Sequence, residues 1–378
     1  MSSHPSQGRK VLLATSMVSM VLGSIHAFSV FLEPLETMFD TSRATVSLIY
    51  SFGLVFLTAA VLIGPAIYAR LQPTTIYIWV ALLGAIGAGF AGLGGGLETV
   101  FIGYSLIFGV ANGLGYGFGL QFAARANPER KGLAMGVVTA AYAFGAVVAP
   151  YGFEAALAFG GFGSAMTALG SAVFVVSIGA AILVARSGAQ YSDTKASASI
   201  TALPPGLIVT IWIAYGSGVA AGLMAIGHAA GIAAAAGFSG WIAAAAIAGF
   251  NLVGSLLSGW LADRIPHQSI LTILPLTGAA ALLALSVLPG LTIPLLGVVG
   301  FTYGGTIATY PAVIAILFPG ENGPRAYGRV FTAWGAAGLL APWLAGQIYD
   351  WGGSYTPALW MAAALGTVSA LTVRKFIR

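Results

Sequence analysis

Two histidines stand alone inside apolar sequence. His26 lies in GSIHAFSVF and His228 in AIGHAAGIAA. An imidazole can be neutral or charged across physiological pH, so a histidine within a membrane segment can carry a proton or meet an anion. Each also fits a packed neutral ring bonded to one backbone or hydroxyl group, and the sequence leaves both roles open. The other polar groups set deep in apolar stretches are neutral: Asn112, Tyr116, Tyr142, Asn251, Ser255, Tyr303, Thr306 and Tyr310. They offer hydrogen bonds but no fixed charge. Glu33, Glu36, Asp40, Glu98, Glu154 and Asp350 fall near segment ends and read as solvated, with Glu33 and Glu154 the deepest and so the candidates for a proton relay.

Those side chains need a bilayer-spanning scaffold. Roughly twelve hydrophobic segments fill the chain, at about 11–33, 45–70, 73–95, 98–124, 132–157, 163–186, 205–230, 239–262, 267–287, 290–318, 326–350 and 353–373. No segment interior contains a lysine or arginine. Only 7% of residues are charged, against about 25% in soluble domains, so the expected class is all-α integral membrane. The 53 glycines suit helices that approach one another closely, and no Gly-X-Y period supports collagen. Without cysteine the chain has neither disulfides nor thiolate metal sites. The polar start MSSHPSQGRK runs into a full-length span and reads as the entry to a first membrane helix, not a signal peptide.

The net charge of +5 reports topology. With the N-terminus in the cytoplasm, every lysine and arginine except Arg43 falls in a cytoplasmic end or loop. That places both termini inside and argues against nucleic acid as a partner. The polar stretch at 187–204 separates the segments into an N-terminal bundle (1–186) and a C-terminal bundle (205–378) of six helices each. A shift of 192 residues aligns Gly113 with Gly305, Gly136 with Gly328, Tyr142 with Trp334, and Ala149–Pro150 with Ala341–Pro342. The turns NPERKG and ENGPRAYG coincide as well. This is the pattern of a duplicated bundle.

Enzyme and pump readings find no support. No HExxH, GxSxG or paired midplane carboxylates occur, and no GxxxxGK[ST] for an ATP-driven carrier. The run Gly113, Gly115, Gly117, Gly119 lies inside an apolar span with no preceding strand, so it reads as a packing stripe.

The loop GWLADRIPHQ, with Gly259, Asp263 and Arg264, resembles the Gly-x-x-x-Asp-Arg signature of the major facilitator superfamily. There the glycine permits close helix approach, and the charges close the cytoplasmic side. The matching loop after span two, GPAIYARLQP, keeps Gly64 and Arg70 but lacks the acid. The stretches FSVFLEPLE, SR, VSL and RKGLAMG look like the oxalate/formate antiporter and monocarboxylate transporter branch, over essentially the whole chain. The resemblance implies two six-helix bundles around a central cavity. It also exposes two departures: Ser255 stands where relatives carry an arginine in Asn-x-x-Gly-Arg, and Trp334 where the oxalate type carries a lysine in Thr-Ala-Lys-Gly. A rough alignment places His26 where monocarboxylate carriers have a span-one lysine.

The resulting expectation is a secondary transporter of the cell inner (plasma) membrane, a monomer without metal or cofactor. It moves a small monocarboxylate-like acid by alternating access, with protons or by exchange. The alternatives are a carrier for a small neutral or zwitterionic metabolite and a non-transporting sensor on a carrier fold. The expected substrate contacts are His26, Asn112, Tyr116, Tyr142, His228, Asn251, Ser255, Tyr303, Tyr310 and Trp334.

Overall fold

The computed structural model describes residues 5–68, 70–127, 131–191, 204–262, 265–318 and 322–376. Helices account for nearly all of them. The order is α1 (Pro5–Leu22), a 3₁₀ stretch (Gly23–Phe31), α2 (Leu32–Phe39), α3 (Arg43–Tyr68), α4 (Pro73–Gly92), α5 (Leu97–Val100), a π-helical stretch (Phe101–Phe108), α6 (Gly109–Ala126) and α7 (Lys131–Ala185). Then come α8 (Pro205–Ala235), α9 (Gly240–Ala262), α10 (His267–Leu285), α11 (Thr292–Leu317), α12 (Asn322–Gly352) and α13 (Thr356–Phe376).

Among the described residues, ten stretches are long and apolar enough to cross a bilayer. One of them, Ala134–Ala185, has 52 residues. That is roughly 78 Å of helix, more than two hydrocarbon thicknesses. It breaks at Gly160 and Gly161, where Gly161 adopts a φ of +69° that a side chain would resist, and so makes two passes. The 31-residue α12, with Arg325 and Arg329 near one end and Asp350 at the other, is long enough to cross but less apolar than those ten.

The chain forms two compact units: Met1–Asp40 with Phe52–Thr194, and Thr41–Ser51 with Lys195–Arg378. In the first, α7 packs on α1 and α4, and α6 on α1. In the second, α9 packs on α11, α12 on α8, and α13 on α10 and α8. Both units use one glycine device. A Cβ on Gly109 or Gly113 of α6 would strike the carbonyls of Gly53 or Leu57 in α3. A Cβ on Gly300 or Gly304 of α11 would strike those of Ile247 or Asn251 in α9. In each case two glycines one helical turn apart meet two carbonyls one turn apart, so the backbones touch. The packing pairs Gly113 with Gly304, one residue from the correspondence that the sequence shift suggests.

The first span changes its winding midway. Gly23 lies against the Tyr142 carbonyl, and Gly145 against that of Met20, so α1 and α7 cross backbone to backbone there. The tighter 3₁₀ stretch starts at this crossing. Two side chains from the π-helical stretch and α6 hold it, with the Asn112 amide donating to the Leu22 carbonyl (2.6 Å) and the Tyr104 hydroxyl to that of Ile25 (3.4 Å). Such departures from α-geometry collect at functional positions.

Candidate functional site

His26 occupies the 3₁₀ stretch. The other eight residues of that stretch are buried, and His26 alone is only partly buried. Its ring meets the Tyr142 ring edge-on, with centroids 5.6 Å apart and planes at 77°. The Tyr142 hydroxyl donates to Asn112 Oδ1 (2.9 Å), and Asn112 Nδ2 donates to Leu22. Asn112 therefore ties the fifth span to the point where the first changes its winding. Tyr116 lies 4.5 Å from Tyr142, ring to ring, and its hydroxyl is 3.4 Å from Thr139 Oγ1. Four of the expected contacts, His26, Asn112, Tyr116 and Tyr142, thus form one cluster in the first unit.

The second unit repeats part of this arrangement. Trp334 Nε1 donates to the Tyr303 hydroxyl (2.9 Å), and Trp334 stacks on Phe331 at 5.2 Å. In the glycine register Asn112 corresponds to Tyr303, while Tyr142 corresponds to Trp334 in the sequence repeat. Each unit therefore has a hydrogen bond joining the second helix of its crossed pair to the following helix, at positions within one residue of equivalence. Ser255 donates to Asn251 Oδ1 (3.3 Å), and both are buried on α9, where Gly304 meets the Asn251 carbonyl. Thr306 bonds back to the Thr302 carbonyl (2.8 Å), and Tyr310 packs on Tyr215 at 4.6 Å.

His228 joins neither cluster. It is fully buried on α8, with Nε2 2.7 Å from the Pro342 carbonyl and Nδ1 3.1 Å from the Tyr355 hydroxyl. Tyr355 and Asp350 are the residues that the sequence reading did not connect to it. Asp350, expected to be merely solvated, also accepts hydrogen bonds from the backbone N–H groups of Arg43 and Ala44. The signal available in the sequence was Arg43, the one cation that breaks the charge asymmetry. Glu33 and Glu154 are exposed. Gly259 falls within α9, while Asp263 and Arg264 lie outside the described residues. Among the described residues no group of three or more histidine or acidic side chains is placed to hold a metal.

Paired polar contacts thus lie inside two glycine-packed helical units built from membrane-length apolar helices. Residues 206–378 match the family model of the Major Facilitator Superfamily. The uncharacterized MFS-type transporter YhjX of Escherichia coli (strain K12) is 24% identical over 347 residues, covering 87% of this chain and 85% of that protein. The inward open conformation of the xylose transporter XylE from E. coli has the same fold, with a TM-score of 0.77 at 14% identity, covering 98% of this chain and 96% of that one. So does a bacterial homolog of the human lysosomal transporter Spinster, with a TM-score of 0.70 at 16% identity over 98% of this chain and 95% of that one. The family model covers the C-terminal part of the chain, and the solved structures share the fold over nearly all of it.

Proposed function

We propose that this chain is a secondary transporter of the inner membrane that moves a small monocarboxylate-like acid, coupled to protons or by exchange. The observation that carries the reading is His26, an ionisable side chain in mid-span that keeps accessible surface while its neighbours are buried. A carboxylate leaving water loses hydration worth several kcal/mol unless it meets a charge or dense hydrogen bonds. A protonated His26 supplies that charge. Asn112, Tyr116 and Tyr142 supply hydrogen-bonding groups beside it, and within the second unit Asn251, Ser255, Tyr303, Tyr310 and Trp334 offer further polar groups. A bound anion favours the imidazolium, and the imidazolium favours the anion, so substrate and proton bind with mutual assistance.

In this reading the six helices on either side of residues 187–204 act as two bundles. Both termini and the basic loops face the cytoplasm, and Gly259, Asp263 and Arg264 help to close that side. A second reading, a neutral small metabolite, is favoured by one observation. Apart from His26, every polar member of the two clusters is uncharged, and four of them, Tyr116, Tyr142, Tyr303 and Trp334, are aromatic. A D-xylose-proton symporter shares the fold. Uptake of labelled short monocarboxylates against neutral analogues of the same size, in proteoliposomes at two pH values, separates the two readings.

A further inference from the structure

Arg43, Asp350, Tyr355 and His228 form a continuous chain of hydrogen bonds in the second unit, and its donor order can be deduced. The Pro342 carbonyl can only accept, so the His228 nitrogen 2.7 Å away, Nε2, carries a hydrogen. With that nitrogen protonated, the neutral ring leaves Nδ1 as an acceptor. The Tyr355 hydroxyl, 3.1 Å from Nδ1, therefore donates to it. The same phenol oxygen accepts from Arg43 Nη1 at 3.0 Å. The guanidinium also lies over the Tyr349 ring, 4.5 Å from its centroid.

The backbone at Arg43 is held at the same place. The Arg43 N–H donates to Asp350 Oδ1 (3.2 Å) and that of Ala44 to Asp350 Oδ2 (2.9 Å). Ser42 Oγ accepts from the Thr45 N–H (3.3 Å). Three of the first N–H groups of α3, which have no partner inside the helix, are thereby satisfied, two of them by a carboxylate at the positive end of the helix. Ser47 binds back to the Arg43 carbonyl (2.7 Å) and places its oxygen 3.4 Å from His228 Nε2.

We propose that His228 is a proton-binding site that controls this clasp on the start of α3. The charged groups facing the imidazole are Arg43 from α3 and Asp350 from the end of α12; the phenols are Tyr355 and, beyond it, Tyr349. With neutral His228 the imidazole Nε2–H, the Tyr355 hydroxyl and Arg43 Nη1 each have an acceptor. A proton added at Nδ1 turns that acceptor into a donor. The Tyr355 oxygen then faces two cationic donors, its hydroxyl can no longer donate to Nδ1, and imidazolium and guanidinium repel across one oxygen. The only carboxylate in the group is committed to the α3 backbone. Binding a proton therefore loosens residues 41–51 from α8 and α12. The clasp belongs to this unit and does not depend on which solute the chain carries.

The test uses purified cysteine-free protein without substrate, so a failure of the transport reading leaves it intact. Ala44→Cys introduces a thiol at a buried position and Thr45→Cys one at an exposed neighbour. The ratio of their maleimide labelling rates cancels the reagent's own pH dependence. As the pH falls from 8 to 4 and His228 takes up its proton, the ratio should rise severalfold. His228→Gln should flatten it. A ratio that ignores pH, or a rise that persists in His228→Gln, overturns the proposal. Nitrogen-15 NMR of histidine-labelled wild-type protein tests the starting state without the cysteines. The His228 signals should report an Nε2–H tautomer at pH 8, and an Nδ1–H tautomer would overturn the deduced chain.

Discussion

Removing the Asn112–Tyr142 hydrogen bond from either side should show whether Asn112 is a tie between spans or an independent polar residue. Asn112→Leu keeps the volume but leaves the Tyr142 hydroxyl and the Leu22 carbonyl without the donor or acceptor they now use. Each buried group so stranded costs about 1–3 kcal/mol, reduced in membranes to roughly 0.6–1.7 where the reference state finds other partners. With two groups stranded, the single change should therefore cost about 1–3.5 kcal/mol. Tyr142→Phe strands only Asn112 Oδ1 and should cost about 1–2 kcal/mol. The double variant no longer strands Oδ1 and the hydroxyl against each other, so its loss should fall short of the sum by about 1 kcal/mol. Denaturant unfolding in mixed micelles reads all three, and uptake into proteoliposomes should fall in parallel because the 3₁₀ stretch carrying His26 loses its anchor. Additivity within about 0.5 kcal/mol would refute the reasoning.

Gly304→Val should abolish folding or cost several kcal/mol, because its Cβ strikes the Asn251 carbonyl, whereas Gly328→Ala, with open space around it, should cost less than about 1 kcal/mol by urea or thermal unfolding. An impermeant thiol reagent should label Thr45→Cys from outside intact cells and leave Gln190→Cys unlabelled; the reverse pattern would invert the topology. With Ser255 and Trp334 in place of cations, oxalate should compete for uptake more weakly than a monocarboxylate of similar size, and Ser255→Arg should improve anion binding.

The membrane spans were legible because hydropathy and loop charge act over whole segments. The Gly160–Gly161 break was legible too, as the gap between the fifth and sixth segments. The glycine-mediated crossings were readable as composition and in part as a repeat, but their register came out one residue off, since glycine and alanine are frequent enough to match at neighbouring shifts. Tyr142 and Trp334 stood out as a repeat-related pair. Their hydrogen bonds to Asn112 and Tyr303 did not, because pairing across helices depends on helix rotation, which apolar spans scarcely specify. The winding change at Gly23–Phe31 left no local signal: GSIHAFSVF is as apolar as any helix, and the cause lies in contacts with Tyr142, Asn112 and Tyr104. Asp350 is exposed, as its place at a span end suggested, but the helix N-terminus that it caps was not legible.

The central claim is that His26 couples a proton to an acidic solute. The direct measurement is initial uptake of labelled short monocarboxylates into proteoliposomes, from pH 8 to pH 5.5, by the wild-type chain and by His26→Ala at equal reconstituted amounts. The account predicts saturable uptake that rises as pH falls, and its loss together with the acid stimulation in His26→Ala. Normal acid-stimulated uptake by His26→Ala would make His26 a packing residue. Saturable uptake of neutral analogues alone would contradict the choice of substrate.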